Sequence, residues 1–254
     1  MLEIVRIPVL IDNYVWLVHE PVQGKTGVVD PAVDGPVLEE LRQRGWSLDW
    51  ILNTHHHADH VGANLKLKRA TGCAIVGPAI DNARIPGMDE GVNQGDRFVL
   101  GAEVAEVHFV PGHTRGHIAF HFPDSKALFC GDTIFLVGCG RLFEGTPEQM
   151  WDSLSRLRQL PDDTQVFCAH EYTASNIRFA LTVDPDNQEL LERADEVTAM
   201  RARGEATVPD TLGREKATNP FLRADEPTVA ANVGLFDAPP AQVFGELRAR
   251  KDRF

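Results

Sequence analysis

Short apolar runs separated by polar turns dominate the first 170 residues and predict a strand-rich chain. Predicted strands are EIVRIPVL, YVWLVHE, TGVVD, LDWILN and CAIVG, followed later by RFVL, EVAEVHFV, HIAFHF, KALFC and TQVFCA. Apolar residues recur instead at helical spacing in three segments, which are GPVLEELRQRG, VGANLKLKRATG and TPEQMWDSLSRLRQL. Strands that alternate with helices in this way favour an α/β fold.

The pattern changes near residue 173, where helical spacing becomes dominant. The segment DNQELLERADEVTAMRARG places Leu190 and Val197 on one stripe of a predicted helix, and AQVFGELRARKD is a second helical segment. Proline-marked turns at TVPDTL and TNPFLR lie between them. We therefore predict two domains, a strand-rich body over residues 1–172 and a helical appendage over residues 173–254.

Composition excludes several classes of partner. The chain carries a formal net charge of −12, which argues against a nucleic-acid partner because phosphate binding depends on Lys and Arg. No apolar run is long enough to cross a bilayer, and the N-terminus lacks a basic leader, so neither a membrane partner nor export is expected. The cysteines form no C-x-x-C pair and predict reduced thiols in the cytoplasm, with Cys130 and Cys168 packed as small apolar residues.

The stretch THHHADH, directly after the predicted strand, concentrates side chains that bind metals. Side chains alternate in an extended segment, so His55, His57 and Asp59 are expected on one side and His56 on the other. His60 comes where the chain turns into a helix and could rejoin the first group. A solvated loop is the alternative, but four of the ten histidines within six positions are a heavy local excess.

Three further apolar runs also end in metal-binding side chains. EVHFVPGHTRGH supplies His113 and then His117, KALFCGDT ends near Asp132, and TQVFCAHEY supplies His170. Taken singly, Asp132 could cap a turn and His170 could be a satisfied buried histidine. Functional groups of α/β folds gather beyond the carboxyl ends of strands, so their recurrence at strand ends predicts one crevice.

The predicted ligand set exceeds the needs of a single tetrahedral zinc ion. Five histidines and two aspartates, with no sulfur, suit two adjacent metals that share a bridging carboxylate. Nitrogen and oxygen ligands fit zinc, iron or manganese, so the ligand types alone do not name the metal.

The loop resembles the T-H-x-H-x-D-H motif of the metallo-β-lactamase superfamily. The chain resembles the glyoxalase II (hydroxyacylglutathione hydrolase) family more closely, in the same order along nearly its whole length. The matching segments are IPVLIDNYVWLV, VVDPA, ILNTHHHADHVGAN, VPGHTRGH, GDTIFLVGCGRLFEGT, AHEYT, NPFLR and RARKDRF. The resemblance implies a four-layer αββα sandwich followed by a helical domain that helps to hold glutathione.

The resemblance also implies roles for individual residues. The ligands expected for metal one are His55, His57 and His113. Those expected for metal two are Asp59, His60 and His170, with Asp132 as the bridge between the metals. Asp59 and Asp132 are the expected catalytic residues.

The expected glutathione contacts come from the same likeness and are Arg141, Phe143, Tyr172, Arg248 and Lys251. Two of them depart from the family pattern. Arg141 stands where a lysine is common, which keeps the charge, whereas Phe143 stands where a tyrosine is common and lacks its hydroxyl donor. The basic run RARKDR is by itself typical of a solvated helix face, and charge complementarity gives a binding role as the alternative.

The implied activity is hydrolysis of S-D-lactoylglutathione, or another S-2-hydroxyacylglutathione, to D-lactate and glutathione in methylglyoxal detoxification. The expected cofactors are two divalent metal ions, zinc first, with iron or manganese as alternatives. Other functions left open are an iron-dependent persulfide dioxygenase, a different hydrolase of this fold such as a lactonase, and a metal-binding module without activity. The partner is expected to be a small glutathione thioester, and the protein to be a cytoplasmic monomer.

Overall fold

The computed structural model describes all 254 residues and divides into two compact units. Unit 1 consists of residues 1–109 and 116–131, and unit 2 consists of residues 110–115 and 132–254. The boundary predicted between residues 172 and 173 stays a prediction. None of the helices combines the length and the apolar character needed to span a bilayer.

The first sheet of unit 1 contains six strands in the order in which they occur along the chain. The strands are β1 (Glu3–Val9), β2 (Asn13–Glu20), β3 (Lys25–Val29), β4 (Trp50–Leu52), β5 (Ala74–Pro78) and β6 (Glu90–Val92). The pairs β1–β2 and β2–β3 are antiparallel, and β3 to β6 pair in parallel. Parallel pairing requires crossover connections, and those that precede β4 and β5 contain helices.

The crossover helices follow the sequence prediction closely. They are α1 (Asp34–Arg44), the short α2 (Ala58–Val61) and α3 (Asn64–Thr71). Helices α1 and α3 end at Gly45 and Gly72, whose φ angles of 69° and 76° lie in the left-handed region that glycine adopts readily. Buried residues of α1 and α3, such as Val37 and Leu67, share a core cluster with the sheet residue Ile51. Burying each such side chain stabilises the fold by about 1.5–3 kcal/mol.

Unit 1 also contains four antiparallel strands that pair in chain order. They are β7 (Arg97–Leu100), β8 (Glu103–Phe109), β9 (Ile118–Phe122) and β10 (Ala127–Gly131). These strands pack on the first sheet, where the ring of Trp50 meets that of Phe98 edge to face at 5.2 Å. Strands β9 and β10 are buried along their length, as their continuous apolar sequences predict.

Unit 2 combines two small strand pairs with most of the helices. A hairpin joins β11 (Ile134–Phe135) to β12 (Gly138–Cys139), and β13 (Gln165–Cys168) pairs with β14 (Asp210–Thr211). The helices are α4 (Pro147–Leu157), α5 (Thr173–Val183), α6 (Gln188–Ala202), α7 (Leu212–Thr218), α8 (Pro227–Asn232) and α9 (Pro240–Arg253). Helix α4 starts with the predicted capping box, in which Thr146 and Gln149 exchange hydrogen bonds.

The segment after α7 holds the β11–β12 hairpin through a buried side chain. The Asn219 amide donates hydrogen bonds to the carbonyls of Phe135 and Gly138, at 3.3 and 2.9 Å. Glu215 accepts from the same amide and from the backbone N–H of Val137, at 2.9 and 2.8 Å. The C-terminal helices therefore fix the backbone that follows Asp132.

Candidate metal centre

The THHHADH stretch of unit 1 gathers imidazoles between β4 and α2. The Nε2 atom of His55 lies 3.0 Å from the Nδ1 atom of His57. The ring of His60 is centred 4.0 Å from that of His55, so His60 does rejoin the group. His56 points elsewhere, with its Nδ1 atom 3.3 Å from the buried carboxylate of Asp81. The Nδ1 atom of His56 therefore faces Asp81, although the His56 ring still meets that of His57 at a centroid distance of 4.9 Å.

Asp30, directly after β3, holds the THHHADH stretch in place through hydrogen bonds. Its carboxylate accepts the backbone N–H and the hydroxyl of Thr54, at 2.8 and 2.6 Å, and the Nδ1–H of His60 at 3.0 Å. The Thr54 hydroxyl oxygen in turn accepts from the Nδ1 atom of His55 at 3.1 Å. Metal-binding histidines characteristically donate one ring N–H to such a partner, which orients the other nitrogen towards the metal.

Asp59 and His117 complete the described contacts of this group. The Asp59 carboxylate accepts a hydrogen bond from the Asn13 amide at 2.9 Å and lies 3.5 Å from the Nε2 atom of His60. The His117 ring stacks on His55, with centroids 4.5 Å apart and an interplanar angle of 18°. His117 therefore fixes the orientation of a neighbouring imidazole.

Gly131 makes room for this loop. Its φ angle is 48°, and an added Cβ atom would lie 2.2 Å from the hydroxyl oxygen of Thr54 and 3.0 Å from Cε1 of His117. The first contact is too short for a carbon atom, the second is tight, and L side chains rarely adopt this backbone conformation. Glycine is therefore required at this position.

Unit 2 brings together the other three predicted ligands. The two carboxylate oxygens of Asp132 face different histidines, with His113 Nε2 at 3.3 Å from Oδ2 and His170 Nε2 at 3.5 Å from Oδ1. The Nδ1–H of His113 donates to the carbonyl of Arg141 at 2.8 Å, which turns its Nε2 atom towards Asp132. The His170 ring stacks on Tyr172, with centroids 4.8 Å apart. Two histidines on opposite oxygens are the arrangement expected around a bridging carboxylate.

The donor sets of both units fit divalent metal ions. Zinc binds imidazole nitrogen at about 2.0–2.1 Å, so two ligand atoms on one tetrahedral ion lie roughly 3.3 Å apart. The nitrogen and oxygen separations within each unit, from 3.0 to 3.5 Å, are close to this value. Five of these residues are buried, and His57 and Asp59 are partly exposed. The ring hydrogen bonds of His55, His60 and His113 are of the kind that supports metal ligands.

A cavity of about 600 Å³ opens within unit 2 beside His113 and Asp132. This cavity is lined by all the predicted glutathione contacts: Arg141, Phe143, Tyr172, Arg248 and Lys251. Helix α5 contributes further lining residues that sequence reasoning did not identify, and these are Ser175, Asn176 and Arg178. The cavity is therefore lined by four cationic side chains in a protein of net charge −12.

Arg248 and Lys251 are the members of the basic run that reach this cavity. Arg248 is buried and donates to the carbonyl of Cys139 at 3.0 Å, so it also supports the end of the hairpin. The Lys251 ammonium donates to the carbonyl of Ser175 at 3.2 Å. Burial lowers the pKa of Lys251 to about 8, and neighbouring arginines, Arg248 first, act in the same direction.

The two departures from the family pattern lie at the exposed side of the cavity. The Phe143 ring is 63% exposed and meets the His113 ring at a centroid distance of 5.2 Å. The Arg141 side chain is 66% exposed, with its Nε atom 3.9 Å from the carboxylate of Asp252. Arg141 can therefore reorient towards a ligand with little loss of local packing.

The cysteines are all buried and form no disulfide, in agreement with the expectation of reduced thiols. Burial raises the pKa of Cys139 to about 11 and that of Cys168 to about 12. Because the thiolate is the reactive form, these thiols act as packing groups.

Comparison with known proteins first defines the class. Residues 11–170 match the family model described as the metallo-beta-lactamase superfamily. The structure of ETHE1 from Myxococcus xanthus aligns with a TM-score of 0.66 at 23% identity, covering 99% of this chain and 98% of that one. The predicted α/β metallo-β-lactamase fold with a helical C-terminal region is confirmed.

The C-terminal region narrows the class to one family. Residues 171–254 match the model described as the hydroxyacylglutathione hydrolase C-terminus. A hydroxyacylglutathione hydrolase from Methylococcus capsulatus is 60% identical over 100% of this chain and 99% of its own length. This chain belongs to the hydroxyacylglutathione hydrolase family. A solved structure titled TTHA1623 in a di-iron-bound form is similar at 25% identity, with a TM-score of 0.62, covering 86% of this chain and 99% of that one.

Proposed function

We propose that the protein is a metal-dependent thioesterase that hydrolyses S-2-hydroxyacylglutathione, with S-D-lactoylglutathione as the substrate of methylglyoxal detoxification. One observation carries the proposal: Asp132 presents one oxygen to His113 and the other to His170 at the wall of a cationic cavity. The cavity charges complement the carboxylates of glutathione, and the names of the curated relatives support the same activity.

The proposed ligand sets follow the family assignment. His55, His57 and His113 would hold the first divalent ion, and Asp59, His60 and His170 the second, with Asp132 bridging. Zinc is the preferred ion, and the di-iron form of the similar protein TTHA1623 keeps iron as an alternative beside manganese. When bound, the two ions would lower the pKa of water and polarise the thioester carbonyl.

The residues of the chain supply binding and orientation. Asp59, which accepts a hydrogen bond from Asn13, would orient the attacking water by accepting a hydrogen bond from it. The His113 ring is fixed by the Arg141 carbonyl, which keeps its proton on Nδ1. The leaving thiolate has a conjugate acid of pKa about 8.5, so hydrolysis needs no dedicated general acid.

We propose that Lys251, Arg141 and Arg178 hold the glutathione part of the substrate. Their side chains line the same cavity as the predicted ligands His113 and Asp132. A glutathione group anchored there would leave its acyl thioester beside the metal ligands. Tyr172 adds an aromatic wall, because its ring is stacked on His170.

A parallel assay on one metal-replete sample tests this function against its rivals. Thiol release from S-D-lactoylglutathione, with neither oxygen uptake on glutathione persulfide nor lactone opening at a comparable rate, is the expected result. Oxygen uptake without thiol release would show that the protein is a persulfide dioxygenase and not a thioesterase. Lactone opening alone would indicate a lactonase. The cytoplasmic location and the monomeric state belong to the same proposal, and fractionation and sedimentation test them.

A further inference from the structure

A second group of metal-binding side chains lies on the antiparallel strands of unit 1, outside every predicted catalytic ligand. Glu106 and His108 are two residues apart on β8 and therefore point to the same face of the sheet. His121 on β9 stands directly opposite Glu106 in the strand register. Direct cross-strand neighbours have Cβ atoms about 4.5–5.5 Å apart, so the pairing itself brings the three side chains together.

The geometry of these three side chains is that of a small metal site. Their candidate ligand atoms all lie within 4.8 Å of one another. The Nδ1 atom of His121 is 3.9 Å from the Glu106 carboxylate, which is too long for a hydrogen bond. This gap is wider than the roughly 3.3 Å between two ligands of a tetrahedral ion, so the exposed Glu106 side chain would move inward by about half an ångström to share an ion with His121.

His121 provides the strongest indication of a missing partner. Its residue is 4% exposed, and its buried Nδ1 atom has no hydrogen-bond partner. Buried polar atoms are almost always paired, because desolvation without a partner is unfavourable. Burial lowers the pKa of His121 despite the opposing charge of Glu106, so the imidazole is neutral near pH 7, which is the form that binds metals.

The surroundings allow an ion to enter. The Glu106 side chain is 57% exposed, so the carboxylate lies at the solvent side of the group. Arg97 stands opposite Glu106 on β7 but forms no ion pair with it, and the carboxylate charge is not neutralised there. We propose that Glu106, His108 and His121 form an additional site for a divalent transition metal such as zinc, which ties β8 to β9.

The donor set defines the class of ion. Two imidazoles and one carboxylate suit zinc, cobalt, nickel or copper better than calcium or magnesium, which prefer oxygen ligands. Three protein ligands leave a fourth position for water. The site is independent of the proposed thioesterase function, because none of its residues belongs to the catalytic ligands or to the glutathione cavity.

Metal counting on matched variants tests the proposal. Wild-type protein and the variants Glu106→Gln and Glu106→Gln/His108→Gln are dialysed against zinc, desalted, and analysed for bound metal and for thioester hydrolysis. Glu90→Gln, an exposed glutamate on β6, is the matched control. We expect the double variant to lose one zinc equivalent per chain with unchanged hydrolysis, and the control to lose none. Equal zinc content in wild type and double variant, or hydrolysis lost together with the metal, would overturn the proposal.

A measurement on the unaltered protein avoids any effect of substitution on folding. Zinc is titrated into protein from which all metal has been removed by chelation, while nitrogen-15 spectra of the imidazole rings are recorded. The proposal requires the His108 and His121 ring signals to shift together as zinc binds. Unshifted signals would show that zinc does not bind these histidines, and the site would be rejected. A chain inactive on the thioester but with shifting signals would contradict only the proposed function.

Discussion

Asp132 is the one side chain proposed to bind both metal ions. Its two oxygens lie 3.3 and 3.5 Å from different histidines, His113 and His170. A carboxamide has the same shape but no negative charge, and only one of its two terminal atoms can bind a metal. The effects of a single conservative change therefore report directly on bridging.

Replacing Asp132 by Asn is expected to lower kcat at least about 100-fold, a typical loss when a charged group at a metal site is removed. Bound metal is expected to fall by about one equivalent, measured by atomic emission beside the kinetic assay. Asp124→Asn, in the exposed turn before β10, serves as the control. Retention of full metal content and turnover in Asp132→Asn would contradict the bridging role.

Lys251 gives the cavity a measurable dependence on pH. Because the pKa of Lys251 is about 8, its side chain is positively charged below pH 8 and loses that charge as the pH rises above this value. The KM for the glutathione thioester is therefore expected to rise between pH 7 and pH 9, while kcat changes less, as lost uniform binding requires. Lys251→Arg keeps its charge over this range, so its KM should stay flat. Parallel KM profiles for both proteins would exclude this role.

Comparing Gly131 with a second glycine distinguishes the cost of a steric clash from the cost of backbone strain. Gly24 has a similar positive φ angle of 66°, and no atom lies within 4 Å of the position that an added Cβ atom would take. Gly24→Ala is expected to lower the free energy of unfolding by about 1 kcal/mol, the strain of that conformation alone. Gly131→Ala should lower it by more than about 3 kcal/mol and reduce metal binding, because Thr54 must move. Urea unfolding of both variants makes the comparison, and equal losses would show that the clash is unimportant.

Candidate site residues could be predicted where the local pattern of the chain marks them. The histidine-rich stretch and the strand-end residues were visible because their side chains bind metals and interrupt apolar runs. Asp30 also stands at a strand end, in VVDPA, yet a lone aspartate before proline is typical of a turn, and its contact with Thr54 depends on folding. Arg178 was missed because it belongs to α5, a helix that was not predicted.

At the scale of elements, patterns local to one segment were interpreted correctly. Helix α4 shows this, since its capping box, its proline at the first turn and its apolar stripe all lie within one stretch. Helix α5 was missed because its buried face includes Thr173 and Asn176, which weaken the apolar stripe. Strand β6 and the β11–β12 hairpin are formed by strands of only two or three residues, and such pairings are set by their neighbours in the fold.

The α4 capping box provides a test of element stability. Thr146→Ala removes the side-chain acceptor for the Gln149 N–H and is expected to cost about 1 kcal/mol. For a chain of this size the melting temperature should fall by roughly 2–4 °C. Thr146→Ser keeps the hydroxyl and should melt close to wild type in the same calorimetric scan. An unchanged melting temperature for the alanine variant would show that the capping hydrogen bond does not stabilise α4.

For the whole molecule, metal content is expected to control both activity and stability. An ion that binds only the folded chain stabilises it in proportion to the logarithm of its concentration over Kd. Chelation should therefore abolish thioester hydrolysis and lower the melting temperature by about 10 °C, and added zinc should restore both. Differential scanning calorimetry with a parallel thiol assay checks this outcome. Full hydrolysis by protein shown to be metal-free would refute the metal dependence.

The grip of Asn219 on the β11–β12 hairpin has a consequence for engineering. The helical C-terminal region cannot be exchanged between relatives on its own, because the Asn219 side-chain amide supplies hydrogen bonds that the hairpin backbone would otherwise lack. A chimera must carry residues 134–139 along with the graft. A chain truncated before Thr173 would leave that hairpin, and with it the backbone leading to Arg141, without its anchor.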